Sequence, residues 1–137
     1  MTVPIRRRAR ELAMQALYQS ETTGQTVENA FQLIRENFQA NKRAVAYALE
    51  LLDGVHTFRT EIDGLISEHS RNWRIERMTC VDRNILRIAV FELMKNKDIP
   101  VSVVINEAIE VAVRYSDEDA PPFINGILDS LKNKLGE

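Results

Sequence analysis

The chain has 137 residues, 45% hydrophobic and 28% charged, with a formal net charge of −2, five glycines and four prolines. That composition excludes disorder and suits one domain or two small helical halves around a shared core. A single cysteine, Cys80, excludes an intrachain disulfide and a multi-thiolate metal site and fits a reducing compartment, the cytoplasm by default. No stretch approaches the roughly 20 apolar residues of a membrane span, and "ELAMQALYQSE" is too polar for a signal-peptide core. Charge is unevenly placed: residues 1–10 carry four arginines and no acid, and the remainder is net acidic.

Apolar residues recur at helical spacing almost throughout, and Gly and Pro fall between segments, so the chain reads as all-α. The first helix starts at Pro4, suited to a first helical position because its missing N–H would have no intrahelical partner. It ends before Gly24, with Ile5, Ala9, Leu12, Ala13 and Ala16 on one inward face. Thr26 is an N-cap for a second helix with Val27, Ala30, Phe31, Ile34 and Phe38 in period. From Arg43 to about Ser70, Val45, Leu49, Leu52, Val55, Ile62, Leu65 and Ile66 keep the pattern, with a bend expected at Gly54 or Gly64. "RNWRIERM" is a connector, with Trp73, Ile75 and Met78 tucked against the body.

Thr79 opens the next helix, with Asp82 three residues on, close to a capping box. The length of "TCVDRNILRIAVFELMKNKD" argues for a largely buried helix over a strand. A further helix spans residues 102–115, with Ser102 as candidate cap. Pro121 and Pro122 suit the first turn of a last helix that turns Phe123, Ile124, Ile127, Leu128 and Leu131 inward. Six or seven helices with short connections predict two small bundles within one domain, residues 1–137.

On a helical wheel with the apolar face at 0°, Arg6, Arg10 and Arg7 fall at about 100°, 140° and 200°, away from the core, and Arg8 near 300° borders it. Arg7, Glu11, Met14 and Tyr18 then form an outward stripe about 16 Å long. Arginines and an aromatic on one exposed stripe suit single-stranded RNA, cations for phosphates and a ring for stacking. The residues alone leave open a solvated helix end, although cations at a helix N-terminus oppose the macrodipole. On the later helix Arg83, Asn84, Arg87 and Lys95 lie opposite the apolar arc, and Phe91 among them is either a partner anchor or an ordinary exposed aromatic.

Asp117, Glu118 and Asp119 form an acidic loop that a helix start explains. Enzyme signatures are absent: Cys80 has no motif linking it to His56 or His69, no glycine-rich phosphate loop occurs, and no His/Cys cluster has metal spacing. Glu107 and Glu110 in "INEAIEVA" read as helix-surface or capping residues. A homodimerising helical interaction module with no RNA role is the rival reading.

Four stretches, "RRRARELAMQALYQ", "DRNILRIAVFEL", "IPVSVVINEAIEVA" and "FINGILDSL", together resemble the NusB family of bacterial transcription antitermination factors, in order and spacing. The resemblance implies two perpendicular three-helix bundles and a non-enzymatic role without cofactor or metal. It implies binding of boxA RNA together with the ribosomal protein NusE, so that RNA polymerase in the antitermination complex passes terminators, notably on ribosomal RNA operons. It assigns RNA contacts to Arg6, Arg7, Arg8, Arg10, Tyr18, Asp119 and Phe123. Asp82 and Tyr115 match the NusE face, and Phe91 stays a candidate partner-binding residue on the residues' own reading. Pro122 stands where a lysine can precede the phenylalanine, which implies weaker RNA binding or more reliance on NusE. Members of the family can also form homodimers. The same fold occurs in front of ribosomal RNA cytosine methyltransferases, but a chain ending at Glu137 has no room for their α/β domain, so a stand-alone binder is expected.

Overall fold

A computed structural model describes residues 4–70 and 74–135, without the side chain of Phe38. Seven α-helices and one 3-10 turn follow in order, and no strand occurs among the described residues. They are α1 (Ile5–Thr23), α2 (Val27–Phe38), α3 (Lys42–Thr57), α4 (Arg59–His69), the turn Ile75–Arg77, α5 (Cys80–Lys95), α6 (Val101–Tyr115) and α7 (Ala120–Leu135). The all-α expectation holds. Trp73 lies outside the described residues, whereas Met78 is buried as expected and Ile75 half-buried.

Local chemistry explains most boundaries. α1 stops at Gly24, whose φ of 80° is a left-handed cap, with its N–H donating to the Ser20 carbonyl at 3.0 Å. Thr26 Oγ1 accepts from the Asn29 amide at 3.1 Å, Asn41 Oδ1 from Arg43 at 2.7 Å and Thr79 Oγ1 from Asp82 at 3.1 Å. Each side chain satisfies an amide that the first helical turn leaves without a partner.

Two expectations about boundaries are corrected. The Arg43–Ser70 pattern breaks at Phe58, with φ −106° and ψ 20°, and neither Gly54 nor Gly64 interrupts a helix. Phe58 packs beside Phe91 with ring centroids 6.3 Å apart, and the Phe91 ring lies where a Cβ on Gly54 would stand, so the corner falls at Phe58 while Gly54 makes room for the ring it packs on. α6 is preceded by Pro100, not Ser102, which lies inside the first turn and makes no capping bond.

α1, α2 and α3 pack as one group, and α5, α6 and α7 as a second with α4 against α5 and α7. α1 also meets α5 and α6, and α5 also meets α3, so these two helices are shared by both groups. That explains their burial. Residues 9–14 of α1 and 84–90 of α5 are buried without interruption, polar residues included. Leu12, Leu51, Ile62, Ile66, Leu86, Ile124, Leu128 and Leu131 are essentially inaccessible, each contributing about 1.5–3 kcal/mol by leaving water. Ile5 and Leu49, expected inside, are 37% and 46% exposed. Ile5 precedes the turn at which α1 enters the core. No helix among the described residues is long and apolar enough to cross a membrane.

Candidate functional site

The four arginines at the start of α1 are divided by depth. Arg6 is exposed, its guanidinium carbon 4.9 Å from the centre of the Tyr47 ring, within cation–π range. Arg7 is half-exposed and donates from Nε and Nη2 to the two oxygens of Glu107, at 2.9 and 2.7 Å. Arg8 donates from Nη1 to Glu11 at 3.0 Å.

Arg10 corrects the wheel. It is 5% exposed, and its Nε and Nη2 donate to the Glu92 carboxylate at 2.9, 3.1 and 3.0 Å, with Nη1 3.4 Å from Glu107. Tyr47 donates its hydroxyl to the same Glu92 carboxylate and accepts from Asn96 Nδ2 at 2.9 Å. Burial first, and then the Glu92 charge, push the Tyr47 phenol upward, so it stays a neutral donor. Glu11 and Met14, placed by the wheel on the outward stripe, are 1% and 2% exposed. A wheel assumes one covered face, whereas α5 and α6 cover the second face of α1.

Two carboxylates thus lie under the arginines that remain outside. Glu107 has a side-chain exposure of 16% and Glu11 of 1%, against 31% for Arg7 and Arg8. The hydrogen bond from Arg7 holds Glu107 below the usual carboxylate range, and the same bond raises Arg7. Glu11 also accepts from Arg114 of α6 at 3.0 Å. Sequence reading missed Glu92 and Arg114, put Glu11 on the outward stripe and took Glu107 for a helix-surface or capping residue. The arginine–glutamate pairs that these residues make between helices span 82 to 103 positions, and no local pattern signals such pairs.

Tyr18 is 43% exposed, as expected. It lines an open groove with Gln15 and Gln19 of α1, Val81 of α5 and Tyr115 of α6. Tyr115 is half-buried, and that burial raises its phenol. Asp82 is 7% exposed and accepts from Ser116 Oγ at 2.6 Å. It therefore ties the start of α5 to the end of α6 beside Tyr115, and its carboxylate is not open on the surface. Phe91 is half-buried against Phe58, so it is not an aromatic standing among solvated charges. Its neighbours Asn84 and Arg87 are buried as well. Asp119 is exposed and Phe123 half-buried at the start of α7, and neither belongs to the wall of the Tyr18 groove.

A second charged cluster closes the other end of α1. Glu21 accepts from Arg83 at 2.6 Å, Arg87 at 2.8 Å, Asn84 at 3.1 Å and Cys80 Sγ at 3.2 Å. Arg87 also grips Asp63 through Nε and Nη2, at 2.8 and 3.0 Å. Burial opposes the Glu21 charge, but the bonds from Arg83, Cys80 and Asn84 outweigh it and hold the group at about 2. Burial and the Glu21 carboxylate together raise the Cys80 thiol, which makes it a poor nucleophile.

A family profile described as NusB family matches residues 7–133. Transcription antitermination protein NusB of Myxococcus xanthus strain DK1622 is 46% identical over 136 residues, covering 96% of this chain and 97% of the relative. Among solved structures, T. maritima NusB superposes with a TM-score of 0.89 at 38% identity, covering 100% of this chain and 96% of the other. A chain in a crystal structure of antitermination factors NusB and NusE in complex with double-stranded RNA has a TM-score of 0.86 at 30% identity, covering 97% of this chain and 99% of the other. Family profile, near full-length identity and superposed fold agree, and the chain belongs to the NusB family.

Proposed function

We propose that this protein is a transcription antitermination factor that binds boxA RNA together with the ribosomal protein NusE, and so lets RNA polymerase pass terminators on ribosomal RNA operons. It acts as one domain, in the cytoplasm, without catalysis. The observation that carries the reading is the layered arginine face on α1, in a chain whose relative has been solved with NusE and RNA. Arg6, Arg7 and Arg8 supply cations for phosphates, and Tyr18 offers a ring beside them for an unstacked base. Arg10 serves this face from below, through Glu92 and Glu107.

Asp119 and Phe123 extend the RNA surface at the start of α7, where Pro122 brings no cation. The partner surface centres on Tyr115, whose position Asp82 fixes through Ser116. The test is a titration of labelled boxA RNA at low and moderate salt, with and without NusE. Binding in both conditions is expected, tighter with NusE. Absence of binding in either at low salt refutes the RNA role, and a concentration-dependent dimer that RNA does not disturb favours a purely structural module.

A further inference from the structure

We propose that Arg114 is a further phosphate-binding residue, acting with Arg7 and Arg8 in a layer of guanidinium groups seated on the carboxylates of Glu11 and Glu107. The inference rests on the RNA reading above and adds to it a residue on a different helix. Glu11 is the key to the geometry. A carboxylate with 1% side-chain exposure must be paired to stay charged, and its two oxygens are divided between two helices. Oε1 accepts from Arg8 and Oε2 from Arg114, both at 3.0 Å.

Depth separates the charges. The acid is inside, while the Arg114 side chain is 54% exposed and that of Arg8 31%. Glu107 stands two turns before Arg114 on the same side of α6 and seats Arg7 in the same way, 16% against 31% exposed. α1 and α6 are thus joined by two crossed pairs, arginine to glutamate and glutamate to arginine. Three cations lie above two anions, and their outer edges meet solvent.

A guanidinium has five N–H donors in a rigid fork. Nη1 is the only Arg114 nitrogen with a bond to a described residue, so the rest of its fork is available to a phosphate oxygen. Arg7 gives Glu107 its Nε and one Nη2 hydrogen, which leaves the Nη1 side pointing away. The two bonds from Glu107 fix the plane of the Arg7 guanidinium and the Glu11 bond anchors Arg114 at Nη1 before RNA arrives, which reduces the ordering cost of a phosphate contact. Glu11 and Glu107 are positioning residues.

The alternative is that Arg114 only neutralises Glu11, and salt dependence separates the two. RNA affinity is measured across a salt series for wild type, Arg114→Gln, Arg114→Lys and Arg35→Gln. The last makes the same charge change on α2, which packs chiefly against α1. Loss of one single-strand phosphate contact should lower the slope of log affinity against log salt by about 0.7 and weaken binding about fivefold at 0.1 M salt. Arg114→Gln should do this, while Arg114→Lys and Arg35→Gln keep the wild-type slope.

A second measurement needs no variant. RNA should protect Arg114 of the wild-type protein from an arginine-specific dicarbonyl reagent, read by mass spectrometry. An unchanged slope in Arg114→Gln, an equal drop in Arg35→Gln, or no protection overturns the assignment while wild type still binds RNA. Failure of wild type to bind at low salt removes the RNA reading itself, and this inference with it.

Discussion

Replacing Arg10 by alanine distinguishes a buried strut from a phosphate contact. Three hydrogen bonds of 2.9–3.1 Å join Arg10 to Glu92, and the two side chains are 6% and 1% exposed. Alanine leaves the Glu92 carboxylate with the Tyr47 hydroxyl and no cation within the pair. Removing one member of a buried ion pair costs about 3–5 kcal/mol. That is a large part of the ~5–15 kcal/mol available to a domain, and a chain of this length should melt about 10–20 °C lower. Arg6→Ala, at an exposed cation–π contact, should cost under about 1 kcal/mol. Arg10→Met with Glu92→Met removes both charges and should recover to within about 2 kcal/mol of wild type. Urea denaturation followed by circular dichroism measures all four proteins. Equal stability of Arg10→Ala and Arg6→Ala would refute the strut, and a flattened RNA salt slope in a fully folded Arg10→Ala would return Arg10 to the RNA surface.

Two helical glycines should respond with opposite sign. A Cβ on Gly54 would stand 2.2 Å from two carbons of the Phe91 ring, whereas one on Gly64 meets nothing within 4 Å. Overpacking of about 1–3 kcal/mol outweighs a helix-propensity gain of about 1 kcal/mol at Gly54, so Gly54→Ala should lower the melting temperature and Gly64→Ala raise it; two stabilising alanines would mean that Phe91 swings aside freely. For acid stability, Glu21 is depressed to about 2 in the folded protein from 4.5, so its contribution is present above about pH 4.5 and is lost as pH falls toward 2. Partial exposure and screening reduce that contribution to about 1–2 kcal/mol. Glu21→Gln should make stability flatter between pH 5 and pH 2 in urea titrations, and an unaltered profile would remove Glu21 from the acid response.

The local part of the fold was legible in the sequence because its causes are local. Thr26 and Thr79 cap helices through amides three residues away, and Gly24 ends α1 through a backbone angle that other residues avoid. What failed were inferences that treated a helix as having a single buried face. α1 and α5 each touch both helical groups, so Arg10, Glu11, Asn84, Arg87 and Glu92 are polar by type and interior by position. Exposure cannot be read from polarity when the covering element lies a hundred residues away. The same separation hid Arg114, because nothing in "VAVRYSDED" indicates that Glu11 lies beneath its fourth residue.

The sequence assigned Tyr18 to an RNA surface and Tyr115 to a partner surface, as if these were separate faces. In the structure both line one groove, and Val81, next to Asp82, lines it too. Asp82 bonds Ser116, the residue after Tyr115, so the start of α5 and the end of α6 hold one wall of that groove in place. The guanidinium layer adjoins it, because Arg8, which bonds Glu11, also hydrogen-bonds Tyr115. A partner seated on Tyr115 would therefore stand against RNA lying on Tyr18. Any gain in RNA affinity from the partner must equal the gain in partner affinity from RNA, since the coupling is one free energy shared by two ligands. Joint recognition as proposed would follow from the meeting of α1, α5 and α6, the helices whose buried ion pairs also hold the two halves of the fold together.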